Sequence, residues 1–273
     1  MQQEKNLNNL QVWVTRPVNQ AKTLSKMIID HGGQVVQFPV ITIQAIALTT
    51  NNSDLLSQLA NIDYIVFISP NAVTYGVTEL LKYGEIPAHL KLVTIGQASA
   101  QKLQQMTGRT PDITPIDHYN SEALLAHKGL SYNTIKNKGF IIFRGRGGRE
   151  LLADTLKERG AVIHYIEVYQ RLKPIVSDDE INSLWQESSG KKTMSRIISL
   201  SSNEGLNNLV EIFSSSSNQY AYKQLLLSPL IVVTEKMRLN AQNLGFKSDI
   251  IIAEKSSNDA FLKGILKWQA TKT

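Results

Sequence analysis

The chain has 273 residues, 42% of them hydrophobic, with 29 Lys and Arg against 23 Asp and Glu, for a net charge of +6. It contains no cysteine, which excludes disulfides, thiolate metal sites and cysteine nucleophiles. The basic residues are dispersed without a dense run, so nucleic acid is disfavoured; a polyanionic small molecule and simple solubility remain as reasons for the charge.

In chain order, residues 1–9 are polar and lack the apolar centre of a signal peptide, and no later apolar run reaches membrane-spanning length. A soluble cytoplasmic protein is expected. Val12–Thr15 reads as a strand, followed by a helix Asn19–Asp30 with Ala21, Leu24, Met27 and Ile28 on one face. Phe38–Gln44 is extended and stays β-friendly through Leu48. Ile65–Ile68 leads to a helix through Leu81, and Leu92–Ile95 to a helix from Ser99 through Met106. In the second half the strands are Phe140–Phe143, Ile197–Leu200 and Ile231–Val233, each followed by a helical pattern, while His164–Arg171 has strand composition and precedes Lys173-Pro174. The Ser214–Asn218 run reads as a flexible surface loop and both termini as frayed. Continuously apolar strands alternating with helices predict an α/β fold of parallel sheets flanked by helices.

The same series is written twice. A constant shift of 128 aligns Arg16 with Arg144, Leu24 with Leu152 and Gly32 with Gly160. At a shift of 132, Ile65–Asn71 answers Ile197–Asn203, and at 137, Ser121–Leu125 answers Asn258–Leu262. Offsets that grow slowly along colinear matches indicate a duplicated unit with small insertions, too long for a solenoid repeat, hence two similar domains. The extended segments 38–48 and 164–174 hold equivalent places in the two copies and are read as connectors.

Polar or glycine-containing turns recur where a strand should end and a helix begin. They are Thr15-Arg16-Pro17, Ser69-Pro70-Asn71, Gly96-Gln97-Ala98-Ser99, Arg144 through Arg149, Ser201-Ser202-Asn203 and Thr234-Glu235-Lys236. In open parallel sheets such turns line the carboxyl edge, where free amides and the positive helix end favour anions. Taken singly, Ser69, Ser99, Ser201 and Thr234 are as well explained as ordinary helix caps worth about 1 kcal/mol each; taken as a repeated set, they read as a site for carboxylates or phosphates. Gly145 to Arg149 matches neither a dinucleotide fingerprint nor a Walker loop. The histidines His31, His89, His118, His127 and His164 form no metal spacing, and no G-x-S-x-G elbow occurs. Catalysis, if present, must rest on positioning and electrostatics.

At these residues the chain resembles the uroporphyrinogen-III synthase family over nearly its whole length. The matching elements are Val14–Pro17, Asp63–Phe67 with Ser69–Val73, Ile95-Gly96 with Ser99-Ala100, and Ser121–Leu125. They continue with Arg144-Gly145, Gly147–Arg149 with Leu152, Gly160-Ala161, Val168–Arg171 and Leu244–Phe246. The resemblance implies two similar domains joined by a two-stranded β ladder. It places 1–37 with 175–273 in a discontinuous domain and 49–163 in an inserted one, with 38–48 and 164–174 as the ladder. It further implies cofactor-free cyclisation of hydroxymethylbilane, a linear tetrapyrrole with eight carboxylates, to uroporphyrinogen III in the inter-domain cleft, with loss of water and inversion of the D ring.

Tyr169 matches the family's cleft tyrosine and is the candidate acid for the departing hydroxyl; a residue merely packed in the ladder is the equal alternative. Ser69, Asn71, Gly96, Ser99, Gly145, Gly148, Ser201, Ser202 and Thr234 are the implied carboxylate contacts. Arg16 and Arg149 are charge partners unless their contacts are structural. Ile68 stands where the family often has threonine, and Ser99 replaces a common threonine but keeps the hydroxyl. No metal or cofactor is expected, nor nucleic acid or membrane; the implied state is a monomer, touching the preceding pathway enzyme at most transiently. The chief rival is a two-lobed module that binds an anion without chemistry, and a second is a glycosyltransferase using a nucleotide sugar.

Overall fold

The computed structural model describes residues 6–116, 120–147, 150–185 and 194–272. The chain begins β1 (Leu10–Val14), α1 (Val18–Asp30), β2 (Gln34–Gln37), β3 (Thr42–Ala45) and α2 (Thr50–Ser57). It continues with β4 (Tyr64–Phe67), α3 (Pro70–Leu80), β5 (Lys91–Thr94), α4 (Gln97–Thr107), α5 (Ser121–Leu125) and α6 (Tyr132–Ile135). The next elements are β6 (Gly139–Gly145), α7 (Leu151–Glu158), β7 (Val162–Leu172), α8 (Asp178–Ser183) and β8 (Ser195–Ser199). Last come α9 (Asn203–Ser214), α10 (Gln219–Leu226), β9 (Leu230–Val232), α11 (Glu235–Asn243), β10 (Ile250–Ile252) and α12 (Asn258–Gln269).

Two compact units result: Met1–Thr42 with Leu172–Thr273, and Ile43–Arg171. The first carries a sheet of order β10-β9-β8-β1-β2 and the second a sheet of order β3-β7-β6-β4-β5. The pairs β2–β1–β8–β9 are parallel, and so are β7–β6–β4–β5. Matched from those ends, the sheets are the repeat in three dimensions: β1 answers β6, β2 answers β7, and β8 answers β4. Gly32 and Gly160 close the equivalent helix-to-strand turns with φ of 81° and 79°, a left-handed conformation that favours glycine. Each copy of the sequence repeat is nevertheless shared out. The first gives β1 and β2 to one sheet and β4 and β5 to the other; the second gives β6 and β7 to one and β8 to β10 to the other.

Both faces of each sheet are covered, which explains the unbroken apolar strands. In the second unit, Ile65, Phe67, Ile141 and Phe143 face α3 and α4, burying Ala72, Val73, Val77 and Leu103. Tyr64, Val66, Phe140 and Ile142 point the other way, toward Leu124, Ile135, Leu152 and Leu156 of α5 to α7. The β4–β6 register sets Tyr64 on Phe140 with centroids 4.3 Å apart, and Phe67 on Phe143 at 5.4 Å. In the first unit, α1 and α12 cover one face, and α8 to α11 cover the other around Trp13, Phe38 and Phe213. Two buried hydroxyls there are satisfied across β1 and β8: Thr15 Oγ1 donates to Ser199 O at 2.6 Å and Ser199 Oγ to Trp13 O at 2.9 Å.

Two expectations are narrowed. Met1–Lys5 lie outside the described residues, and from Leu7 the chain is packed: Leu7 is fully buried and its N–H donates to His31 O. At the other end Trp268 is buried, with Nε1 donating to Asp249 Oδ2 at 2.8 Å. Ser214–Asn218 is a pinned turn. Ser216 and Ser217 hydroxyls donate to the Asp178 carboxylate at 2.6 and 2.5 Å, and Asn218 caps α10 by accepting from Ala221 N–H. The Ser216 and Ser217 hydroxyl bonds, outweighing a small desolvation effect, hold Asp178 below the usual carboxylate range. A lowered folded-state pKa contributes stability above the unfolded value, lost as pH falls through the folded one. Asp178→Ala is therefore expected to lower the melting temperature at pH 7, with the difference closing below about pH 4. Melts across pH check it; an equal deficit at pH 3 would contradict it. No helix of the described residues is long and apolar enough to cross a membrane.

Candidate active site

Because β7, β6, β4 and β5 run parallel, their carboxyl ends form one edge of the second unit. Tyr169, Gly145, Ser69 and Gly96 lie along it in that order, one per strand or the turn after it. Ser69 follows β4 in extended backbone (φ −164°, ψ 163°), which releases the chain into α3; its Oγ accepts from Ala72 N–H at 3.0 Å. Pro70 occupies the first helical position, where no N–H is required. Asn71 is half-buried in that first turn, its side chain without a hydrogen-bond partner among the described residues.

Gly96 repeats the backbone of Ser69 (φ −164°, ψ 167°) at the start of α4, but contributes no side-chain cap. One turn in, Ser99 is 3% exposed, and its hydroxyl has no partner among the described residues. The α4 N-terminus thus combines a buried serine with an N-cap residue that offers no side-chain cap, an arrangement a bound carboxylate would complete. Beneath it, Thr94 and Thr114 hydroxyls meet at 2.7 Å and hold the end of β5.

Tyr169 is buried, 4% exposed, with its hydroxyl 3.1 Å from Ser69 Oγ. Tyr169 is on β7 and Ser69 follows β4, strands that do not touch, since β6 lies between them. The β6–β7 register shifts between Arg144 and Gly145, bringing Gly145 opposite Tyr169, and Arg146 N–H donates to Tyr169 O at 2.9 Å. The Tyr75 ring, which the sequence reading missed, stacks beside Tyr169 at 6.0 Å, and its hydroxyl donates to Ile43 O at 3.4 Å. Only its place on the inner face of α3 could have flagged it.

The carboxyl edge of the first unit carries the remaining candidates. Ser202 caps α9 and Thr234 caps α11, both extended (φ −155° and −146°), accepting from Gly205 and Met237 N–H at 3.0 and 3.2 Å. Ser201 precedes the cap and is half-buried. Asn240 Nδ2 donates to both Asn203 and Asn207 Oδ1 at 3.0 Å, tying the two capped helices together. Arg16 reaches α12: Nη1 donates to Asn258 Oδ1 at 2.8 Å, Nη2 to Ser256 O at 2.9 Å, and the guanidinium lies 4.8 Å from the Phe261 ring centre. Burial holds it below the ordinary arginine range. Gly148 and Arg149 lie outside the described residues, as does His118. The histidines His31, His89 and His127 bond backbone groups of their own surroundings.

A family model described as uroporphyrinogen-III synthase HemD matches residues 22–263. The uroporphyrinogen-III synthase of Salmonella typhimurium is 31% identical over 258 residues, 94% of this chain and 100% of that protein. That of Escherichia coli is 30% identical over 260 residues, again 94% and 100%. Among solved structures, uroporphyrinogen-III synthetase from Helicobacter pylori aligns with a TM-score of 0.57 at 15% identity, covering 94% of this chain and 98% of that one. A mutant uroporphyrinogen III synthase from Thermus thermophilus aligns at 0.52 and 15%, covering 97% and 100%. At such identity these structures speak for the fold alone.

Proposed function

The chain belongs to the uroporphyrinogen-III synthase family, and from that premise we propose that it cyclises hydroxymethylbilane to uroporphyrinogen III with loss of water. The observation that carries the reading at the level of the site is the α4 N-terminus, without a side-chain cap at Gly96 and with the buried Ser99 one turn in. The substrate's carboxylates are anions of the kind this end takes up, and the chain's net charge of +6 draws such a polyanion in. Ser69 acts through Tyr169, while Asn71 supplies a further donor on the same edge. Ser201, Ser202 and Thr234 do the same at the edge of the first unit, with Arg16 holding α12 in place rather than acting as a free cation. The crossings of the chain between units fall at β3 and β7, where the family's two-stranded connector is expected.

The chemistry is loss of the terminal hydroxyl as water to give an azafulvene cation, attack of the substituted D-ring carbon on it to form a spiro intermediate, cleavage of that carbon's original bond to the neighbouring bridge, and reclosure of the inverted D ring with loss of a proton. Holding the bilane in one fold selects this path over spontaneous closure. Tyr169 is the acid for the departing hydroxyl. Ser69 Oγ accepts from Ala72 N–H, so its own proton can go to Tyr169 Oη, leaving the phenol proton for the substrate.

Formation of isomer III in proportion to added protein tests the activity. The anion seat is tested by Gly96→Asp, at an extended backbone that any residue can adopt. A carboxylate that caps α4 itself is expected to raise KM about 10-fold, the equivalent of about 1.4 kcal/mol, in a sample that still melts cooperatively. An unchanged KM would remove the seat.

A further inference from the structure

We propose that Gly145 is a positioning residue for Tyr169, a gap in β6 through which the phenol reaches Ser69; this rests on the reading of Tyr169 as the acid. Since β6 separates β7 from β4, a side chain leaving β7 must pass over β6 to meet the cap of α3. It passes where β6 has no side chain. A Cβ on Gly145 would lie 2.7 Å from Tyr169 Cζ and 2.8 Å from Cε2, closer than real Cβ atoms approach, and 3.0 Å from the hydroxyl oxygen. The local register shift is what sets this glycine opposite the tyrosine. The Tyr169 ring is itself buried, with Tyr75 of α3 stacked beside it at 6.0 Å, so relieving the clash means moving a packed ring. The glycine is therefore required for the 3.1 Å contact between Tyr169 and Ser69. This is a role distinct from offering its own amide to the substrate.

The test is a cycle of Gly145→Ala and Tyr169→Phe, followed by turnover, KM and the ring resonances of 13C-tyrosine-labelled protein. Gly145→Ala is expected to lower kcat by about the factor that Tyr169→Phe does, with KM within about 2-fold. In the Tyr169→Phe background it should cost less than about 2-fold more. The Tyr169 resonance, assigned by its loss in Tyr169→Phe, should shift in Gly145→Ala. Equal penalties in both backgrounds, or a rise in KM, would show that the glycine serves the substrate directly and overturn the proposal. If Tyr169→Phe is silent in turnover, the acid reading fails, while the resonance still reports whether the glycine positions the ring.

Should Gly145→Ala prove too unstable, Gly145→Ala combined with Tyr169→Leu decides by thermal melt. Removing the ring should restore most of the stability that the alanine costs. A double variant as unstable as Gly145→Ala alone would place the clash elsewhere and overturn the proposal.

Discussion

Tyr169→Phe is expected to lower kcat for closure to isomer III by about 100-fold, the usual scale of a lost general acid. The substitution keeps the buried ring, its stacking with Tyr75 and its fit over Gly145. It removes one hydroxyl bonded to Ser69. Losing that bond costs about 1 kcal/mol, which for a protein of this size is a few degrees in melting temperature at most. Steady-state kinetics on a sample with a near-normal melt separates the two effects. Unchanged turnover would take Tyr169 out of the mechanism and leave it as a packed edge residue.

The second large effect concerns folding. Cutting the chain after Asn137 into its two colinear sequence copies is expected to leave both pieces unfolded, whereas Ile43–Arg171 expressed alone is expected to fold. Residues 1–137 would retain β1 without β8, although the two pair in parallel along all of Leu10–Val14 with Ser195–Ser199. They would also retain β4 without β6, stripping the partners of Tyr64 and Phe67. Each sheet would lose a central strand and expose both faces of its core, a loss far larger than the stability of an ordinary domain. The 43–171 segment keeps its whole sheet from β4 to β7 and the helices on both faces. Circular dichroism and thermal melts of the three fragments decide it; a cooperative melt from 1–137 would contradict the strand assignment.

The same strands show what the sequence could and could not reveal. Each predicted core strand lies within two residues of its place, because strands such as Tyr64–Phe67 and Phe140–Phe143 are buried on both faces and carry no polar interruption. Periodicity reports that burial directly. It does not report partners, so the repeat alone suggested colinear halves, while pairing hands β8 to β1 and β6 to β4. The serine run at 214–218 is a surface turn as read, but its anchoring was not legible, for a similar reason. Its order comes from Asp178, whose place in the chain gives no hint of the contact. At the site, the hydroxyl-bearing turns were legible because strand, turn and helix recur with the same residue types. Which serine caps α9 was not, since Ser201 and Ser202 differ only in where β8 stops. The bond between Ser69 and Tyr169 and the role of the glycine between them depend on strand order and a local register shift, neither of which is written in composition or spacing.

The most direct measurement is to add the purified protein to freshly made hydroxymethylbilane, oxidise the products and separate the porphyrin isomers. The bilane closes unaided to isomer I, so the background is known in every sample. A dominant isomer III peak that grows with protein concentration is the expected result. Isomer I alone, from a sample with a cooperative melt and beside an active control, would contradict the synthase assignment and leave a module that binds an anionic ligand without turning it over.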